Sequence, residues 1–148
     1  MGAGTTGGAG GGTPQQRGQA LERRVARLLR RAGKPCVRTN VFLTDRHGNR
    51  SEVDVTWGRF PWTRRYVECK AYRATHPVPL EDVAKFREVL RVNGVPARRG
   101  MVVTTSRYTP RCQHVGVALV DGAGLRAWER RPPRVRRART RRRTSYNN

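Results

Sequence analysis

Two short stretches in the middle of the chain alternate between polar and apolar residues: SEVDVTW at 51–57 and RRYVECKAY at 64–72. Alternation with a period of two is typical of a β-strand with one buried face. Both stretches are rich in β-branched and aromatic residues, and the loop between them contains Gly58 and Pro61. We therefore predict two neighbouring antiparallel strands, and the rest of the chain has to complete the sheet that contains them.

The flanking sequence adds further strands and helices to this pair. The stretch PCVRTNVFLT is joined to the first strand by the turn-like DRHGN, which predicts a three-strand meander. The stretch QALERRVARLLRRAG has one apolar helical stripe, and a second helix is predicted from about Leu80 to Asn93. GMVVTTS, TPRCQHVG and VALVDG then predict a strand, a short helix and a last strand. The predicted order is α-β-β-β-α-β-α-β, an α/β fold with a mixed central sheet flanked by helices on both faces.

The charge of the chain is strongly unbalanced, with 32 Lys and Arg against 10 Asp and Glu and a net charge of +22. Nine of the arginines lie in residues 130–143, but the rest of the chain still has 23 cations against the same 10 acids. Cationic side chains that neutralise phosphates release condensed counterions, which favours binding to a polyanion. The sequence therefore predicts a nucleic-acid partner. Biased codon usage would explain the choice of arginine over lysine, but not the excess of cations.

The two ends of the chain differ in composition from its middle. Residues 1–16 are glycine-rich and uncharged, and residues 130–148 combine arginines and prolines with few residues to bury. We expect both ends to be disordered around a folded domain at 17–129. The chain has three cysteines and no C-x-x-C spacing, which argues against a disulfide framework and against structural zinc, and favours a reducing compartment.

No apolar run approaches the roughly 20 residues that span a bilayer, so we expect a soluble protein. Its expected location is intracellular, either cytoplasmic or nucleoid-associated, or the mitochondrial matrix if the source is a eukaryote. Gly2 and Thr6 fit the N-myristoylation pattern, which together with a polybasic segment would hold a protein at a membrane surface. Chance is the favoured interpretation in a tract so rich in glycine and threonine, and no stable membrane association is expected.

Charged residues alternate with apolar ones in the two central strands. Asp54 is predicted on the opposite face from Val53 and Val55, while Glu68 and Lys70 share one face of the next strand. In antiparallel neighbours Asp54, Glu68 and Lys70 would converge. Two carboxylates can hold Mg²⁺, which polarises a phosphate and activates a bound water, and an ammonium can orient that water.

Lys70 is one of only three lysines in a chain with 29 arginines. A compact ammonium suits a position beside a metal-bound water better than a guanidinium, which serves mainly as a phosphate clamp. The helical periodicity also puts Glu22 at the edge of the apolar stripe of the first helix, so that this carboxylate leans toward the core side of the helix.

These residues also have ordinary structural interpretations. Glu68 and Lys70 could form a surface ion pair that contributes little. Cys69 is interpreted as a small buried hydrophobe and Glu52 as an acid at the rim of the sheet. Trp57 and Tyr66 are assigned to the core or its flank. Phe60 and Trp62 lie among arginines, and either loop packing or stacking on nucleic-acid bases would explain them.

At these positions the sequence resembles a known family. Asp54 followed by Glu68-Cys69-Lys70 matches the PD-(D/E)xK signature of the restriction-endonuclease-like nucleases. The chain is most similar to the Mrr-like branch, the catalytic domain of type IV restriction enzymes, in blocks at 18–22, 52–55, 67–72, 100–105 and 119–122. The first helix also resembles the start of archaeal-type Holliday-junction resolvases. There is no recognisable target-recognition domain beside these blocks.

The resemblance implies a restriction-endonuclease-like core and hydrolysis of DNA phosphodiester bonds with Mg²⁺ or Mn²⁺. It implies that Asp54 and Glu68 bind the metal together with the backbone carbonyl of Cys69, that Lys70 orients the water, and that Glu22 is an auxiliary acid. Many relatives act as homodimers. The alternative is a catalytically inactive nuclease-fold protein that binds RNA or the ribosome. Nucleic-acid contacts are expected from the aromatic loop and the tail, at Arg59, Phe60, Trp62, Arg64, Arg65, Arg136, Arg137, Arg141, Arg142 and Arg143.

Overall fold

The computed structural model of the protein describes residues 12–134. Residues 1–11 and 135–148 lie outside the described residues. The myristoylation pattern at Gly2, most of the predicted glycine-rich lead and the predicted contacts of the tail fall there, at Arg136, Arg137, Arg141, Arg142 and Arg143.

Within the described range the chain forms three α-helices and five strands. In chain order these are α1 (Pro14–Arg31), β1 (Arg38–Thr44), β2 (Arg50–Trp57), β3 (Arg65–Lys70), α2 (Leu80–Val92), β4 (Gly100–Thr104), β5 (Ala118–Val120) and α3 (Gly122–Arg130). Short 3₁₀ turns lie at Pro61–Thr63, Ala97–Arg99 and Pro110–His114. None of the helices within 12–134 is long and apolar enough to cross a membrane.

The five strands form one mixed sheet in the order β1-β2-β3-β4-β5. The first three strands are antiparallel neighbours, as the predicted meander requires, and β4 and β5 run parallel to β3. Parallel neighbours need a crossover connection, which α2 provides between β3 and β4. The predicted α/β class with a mixed sheet is therefore confirmed.

The helices cover both faces of the sheet, and each face has its own hydrophobic cluster. One cluster joins α1 and α3 to the sheet through Leu21, Val25, Leu29, Val55, Val67, Cys69, Val103 and Leu125. The other joins α2 and the loops around it to the opposite face through Val53, Tyr66, Val78, Val83, Phe86, Leu90 and Val102. The predictions that Cys69 and Tyr66 are buried are confirmed, and Trp57 is half-buried against the first cluster.

The first helix begins earlier than the predicted domain boundary at residue 17. Thr13 caps α1 by accepting a hydrogen bond from the backbone of Gln16, whose side chain bonds back to Thr13, and Pro14 occupies the first turn. This capping box satisfies backbone groups that would otherwise lack partners at a helix start. Residues 13–16 therefore belong to the folded domain and not to the lead.

The last helix, α3, is missing from the predicted order. Two glycines in its first turn, Gly122 and Gly124, lower its intrinsic propensity, which is why no helix was predicted after the last strand. The helix is held instead by its cap and its packing, since Asp121 accepts a hydrogen bond from the Gly124 amide at 2.7 Å and Leu125 is buried. The short helix predicted at TPRCQHVG is the 3₁₀ turn Pro110–His114.

Strand β2 separates from β3 close to Asp54. Pairing between β2 and β3 stops at Val55 and Val67, whereas β2 stays paired with β1 back to its own first residue, Arg50. The prediction that Val53 and Val55 share a face is wrong, because they pack in different clusters. A two-stranded ribbon twists more than a full sheet, and Asn40, opposite Asp54 on β1, has a left-handed φ of 52°.

Candidate active site

Asp54 lies where β2 and β3 diverge, and its side chain takes the place of a strand-to-strand hydrogen bond. Its Oδ2 accepts a hydrogen bond from the Cys69 amide at 2.6 Å. The N–H and C=O of one strand residue point to the same neighbouring strand, so the Cys69 carbonyl is also on the Asp54 side of β3. A carboxylate and a carbonyl oxygen are therefore presented together at the split in the sheet.

Glu68 and Lys70 form an ion pair on β3, next to Asp54. The Lys70 Nζ is 3.0 Å from Glu68 Oε1, and the two side chains are 28% and 19% exposed. The pair is thus partly buried, unlike the freely solvated pair that an isolated E-x-K predicts. Burial would lower the pKa of Lys70, but the charges of Glu68, Asp82 and Asp54 raise it above its ordinary value. Lys70 is therefore a cation at neutral pH.

The carboxyl groups of Asp54 and Glu68 have raised pKa values. Burial is the main cause for both Asp54 and Glu68, and the charge of Asp54 raises the pKa of Glu68 further. The hydrogen bond from Cys69 and the charge of Lys70 offset only part of this. A raised carboxyl pKa means that the surroundings stabilise the ionised form poorly. A bound cation would stabilise the ionised form and lower the pKa again.

Glu22 is contributed by α1, which packs on the face of the sheet opposite α2. Burial raises the pKa of Glu22, and the charges of Asp54 and Glu52 raise it further. Glu22 is therefore within electrostatic reach of the two acids of β2. Asp54 connects the four side chains predicted to act in catalysis, because its charge acts on Glu22, Glu68 and Lys70.

Asp82 and Tyr72 are members of the site that sequence reasoning missed. The Tyr72 hydroxyl donates a hydrogen bond to Asp82 Oδ2 at 2.6 Å, and the charge of Asp82 raises the pKa of both Glu68 and Lys70. In the sequence, Asp82 is explained by its place in the first turn of α2, where an acid stabilises the helix dipole. The sequence offered no sign of its proximity to Lys70, because the two elements meet only through the fold.

We call Glu22, Glu52, Asp54, Glu68 and Asp82 the acidic cluster. It contains five of the 10 acidic residues in a chain of net charge +22. Like charges that are brought together and partly buried destabilise the folded state unless a cation compensates them. Half of the acids of a basic protein are therefore linked electrostatically through Asp54 and Glu68.

The cluster fits a divalent metal whose ligands come only partly from side chains. Among residues 12–134 no three His, Cys, Asp or Glu side chains are arranged to hold an ion on their own. Mg²⁺ commonly binds one or two carboxylates and takes its remaining ligands from water and substrate phosphate. Asp54, Glu68 and the Cys69 carbonyl would supply such a partial set.

The Cys69 thiol takes no part in this chemistry. Burial raises its pKa, and the charges of Asp54 and Glu22 raise it further, so that it stays protonated. The thiolate is the reactive form of cysteine, and Cys69 therefore acts as a packing residue, as the sequence predicted.

The structure does not bring the aromatic loop into the acidic cluster. Phe60 and Trp62, with Arg59, Arg64 and Arg65, lie at the other end of β2 and β3. Asp54 is three positions from Trp57, the last residue of β2, about 10 Å at ~3.3 Å per residue, and the loop begins beyond Trp57. A cavity of about 810 Å³ lies apart from both the acidic cluster and the aromatic loop, between α1, α3 and β5. Trp57, Tyr108 and Trp128 are among the residues that line it. No member of the acidic cluster lines it.

The fold and the acidic cluster together define an α/β domain of the nuclease type. A family model described as a restriction endonuclease matches residues 15–129, most of the chain. The chain belongs to this family, in its Mrr-like branch. No curated protein matches the sequence.

Solved structures provide further likenesses. A protein of unknown function, AF1548, shares 21% identity with a TM-score of 0.55 over 71% of this chain and 58% of its own. MspJI, a restriction endonuclease solved with a 27-mer oligonucleotide, shares 21% with a TM-score of 0.49, over 77% of this chain and 27% of its own. AspBHI, a DNA modification-dependent restriction endonuclease, shares 17% with a TM-score of 0.47, over 84% and 39%. The likeness to AF1548 is one of fold, and this chain spans less than two thirds of each of these proteins.

Proposed function

We propose that this protein is a divalent-metal-dependent endonuclease that hydrolyses phosphodiester bonds in DNA. The observation that carries the proposal is the acidic cluster beside Lys70, because the partly buried carboxyl groups of Asp54, Glu68 and Glu22 have raised pKa values that a bound cation would reverse. Membership of the restriction endonuclease family supports the same reaction. It also supports DNA over RNA as the substrate.

In this proposal Asp54, Glu68 and the Cys69 carbonyl hold Mg²⁺ or Mn²⁺. The bound metal would polarise the phosphate and activate a water. The Cys69 amide occupies Oδ2 of Asp54, which orients the carboxylate and leaves Oδ1 for the metal. Rigid placement of this kind is what a catalytic group requires.

Lys70 acts as a fixed positive charge in this site and not as a base. Its pKa is raised by its acidic neighbours, and Glu68 holds its Nζ at 3.0 Å. A preorganised cation stabilises the negative charge that develops on the phosphate in the transition state. Glu22 lies beside Asp54 and would orient a water or a second ion as an auxiliary acid.

The test is cleavage of plasmid, linear duplex and four-way-junction DNA with Mg²⁺ or Mn²⁺ and with EDTA. Asp54→Asn and Lys70→Ala should each lower the rate by about 100-fold or more, the effect of removing one preorganised charge-stabilising group. Lys85→Ala is the matched control, because Lys85 is an exposed lysine on α2 outside the cluster. It should cut at the wild-type rate.

The alternative function is nucleic-acid binding without turnover, which the net charge of +22 would also support. In that case the chain would bind each DNA tightly in the presence of metal without cutting it. Asp54→Asn and Lys70→Ala would then bind as the wild type does, and the proposed nuclease activity would be refuted.

A further inference from the structure

Phe60 and Trp62 form an exposed aromatic platform in the loop between β2 and β3. Their rings are stacked with centroids 5.1 Å apart and planes 3° from parallel. Phe60 is 46% exposed and Trp62 is 72% exposed. Large apolar rings are normally stabilised by burial, so two rings stacked on each other in solvent indicate a surface that contacts something else.

The loop holds this platform in a fixed geometry. The Thr63 hydroxyl bonds both the amide and the carbonyl of Phe60, at 3.2 and 3.1 Å, and Arg99 donates to the Pro61 carbonyl at 2.9 Å. Gly58 starts the loop with φ +127°, where a Cβ would lie 2.7 Å from the Arg64 Cα, so only glycine fits. A platform that is already ordered loses little entropy on binding.

Positive charge surrounds the platform. Arg59 and Arg64 flank it in the loop, while Arg65 donates to the Arg98 carbonyl at 2.7 Å and so ties the loop to the turn at Ala97–Arg99. The segments that form this region, 55–67 and 93–120, contain no acidic residue. The surface is thus both aromatic and cationic.

A nucleotide base with its phosphate has the matching chemistry. Aromatic rings stack on base faces regardless of sequence, and arginines contact the flanking phosphates. Inside a duplex both faces of each base are already covered by neighbouring bases, so the platform can bind only an unpaired or displaced base. The occupant that the charge and the ring geometry favour is therefore a single-stranded nucleotide.

The platform lies at a useful distance from the acidic cluster. The strand separates Asp54 from the start of the loop at Trp57 by about 10 Å, the length of three residues, and the platform lies in the loop beyond that point. The distance to the start of the loop alone equals about three nucleotide steps at ~3.4 Å each along one strand of DNA. A base stacked on Trp62 would leave a phosphate a few nucleotides away within reach of Asp54 and Lys70.

We propose that Phe60 and Trp62 bind an unpaired base close to the cleaved bond, which directs the enzyme to DNA with a single-stranded segment, such as a flap, a gap or a junction. The proximity of the platform to a cleaved bond rests on the proposed function. The binding of an unpaired base is a separate claim, and its test does not need cleavage.

The experiment measures binding of a labelled single strand and of a duplex of the same sequence by fluorescence anisotropy, at one fixed salt concentration and in EDTA. Trp62→Ala and the double variant Phe60→Ala, Trp62→Ala should bind the single strand about 5- to 150-fold more weakly, as expected for the loss of a stacked base. Duplex affinity should change little. Phe42→Ala is the matched control, because Phe42 is 51% exposed on the β1–β2 hairpin with Arg50 stacked over its ring at 4.3 Å.

Equal losses on the single strand and the duplex would overturn the proposal, because the rings would then act without regard to base pairing. Unchanged binding would overturn it too. If Trp62→Ala also turned a dimer into a monomer in sedimentation, the platform would be a contact between two copies of the chain. A loss of affinity for the single strand alone, together with no cleavage by the wild type, would support unpaired-base binding by the platform and refute the proposed nuclease activity.

Discussion

Asp54 combines two roles that pull against each other. Its carboxylate replaces a missing strand hydrogen bond by accepting from the Cys69 amide, which favours the fold. Its negative charge is partly buried near the charges of Glu22, Glu52 and Glu68, which destabilises the fold. Asparagine in its place would keep an oxygen acceptor for Cys69 and remove the charge. The two roles can therefore be separated by one substitution.

Asp54→Asn should leave the protein at least as stable as the wild type at pH 7 in EDTA, while abolishing cleavage. A carboxyl whose pKa is raised by folding binds more protons in the native state, so stability falls as pH rises from the ordinary pKa of 3.8 through the folded value. Above that window the loss is complete, and the variant avoids it. Below pH 3.8 the two proteins should converge. Thermal unfolding across this pH range measures the difference.

Glu81→Gln is the control for this prediction, because Glu81 is exposed on α2 and lies outside the acidic cluster. Its unfolding should follow the wild type at every pH. A clear drop in the stability of Asp54→Asn at pH 7 would contradict the claim that charge repulsion at this residue outweighs its favourable contacts.

At the scale of elements, the position of the site depends on how strands and helices end. β2 leaves β3 at Asp54, which opens a split between these two strands, and α2 has Asp82 in its first turn. On the other face, α3 follows β5 directly and is tied to α1 by two hydrogen bonds between Arg24 and Glu129, at 2.5 and 2.7 Å. α3 therefore covers the hydrophobic cluster that packs against β3 on the face of the sheet opposite α2.

Asp121→Ala should lower the free energy of unfolding by about 1 kcal/mol, the usual effect of removing a helix cap. The side chain accepts from the Gly124 amide at 2.7 Å, and the two glycines of the first turn give α3 little propensity of its own. Asp121→Asn keeps the acceptor and should unfold close to the wild type in urea. If Asn were as destabilising as Ala, the charge of Asp121 and not its hydrogen bond would be responsible.

At the scale of the whole molecule, negative charge is confined and positive charge is spread. Outside the acidic cluster, most acids have local partners. Glu88 pairs with Arg91, Glu129 with Arg24, Asp45 accepts hydrogen bonds within its turn, and Asp121 caps α3. The remaining surface therefore presents many unneutralised arginines to a polyanion, with one acidic position among them.

Removing residues 135–148 should weaken DNA binding and flatten its salt dependence. This segment contains six arginines, and the described fold ends before it. The slope of log affinity against log salt scales at ~0.9 per phosphate contact on duplex DNA, so up to about five could be lost. The control is a chain of equal length in which those arginines are replaced by glycine and serine. An unchanged slope in both would exclude the tail from binding.

Much of this architecture follows from patterns a few residues long. The alternation in SEVDVTW and RRYVECKAY, the apolar stripe of α1 and the turn at 45–49 predicted the meander and its helix. The spacing of Glu68 and Lys70 predicted that the two side chains share one face of β3, where they form an ion pair. These features depend on backbone periodicity and on hydrogen bonds between near neighbours, and such interactions are encoded locally.

Contacts between distant segments were decided only by the tertiary structure. Val53 and Val55 face different clusters because β2 loses its partner and twists, which no alternation rule includes. Asp82 meets Lys70 because α2 crosses over the sheet, and α3 exists because packing and a cap outweigh its two glycines. The sequence alone determined which residues form the strands and which carry the charge. Burial and long-range packing determined which charges share one site, because those energies arise only when separate elements come together.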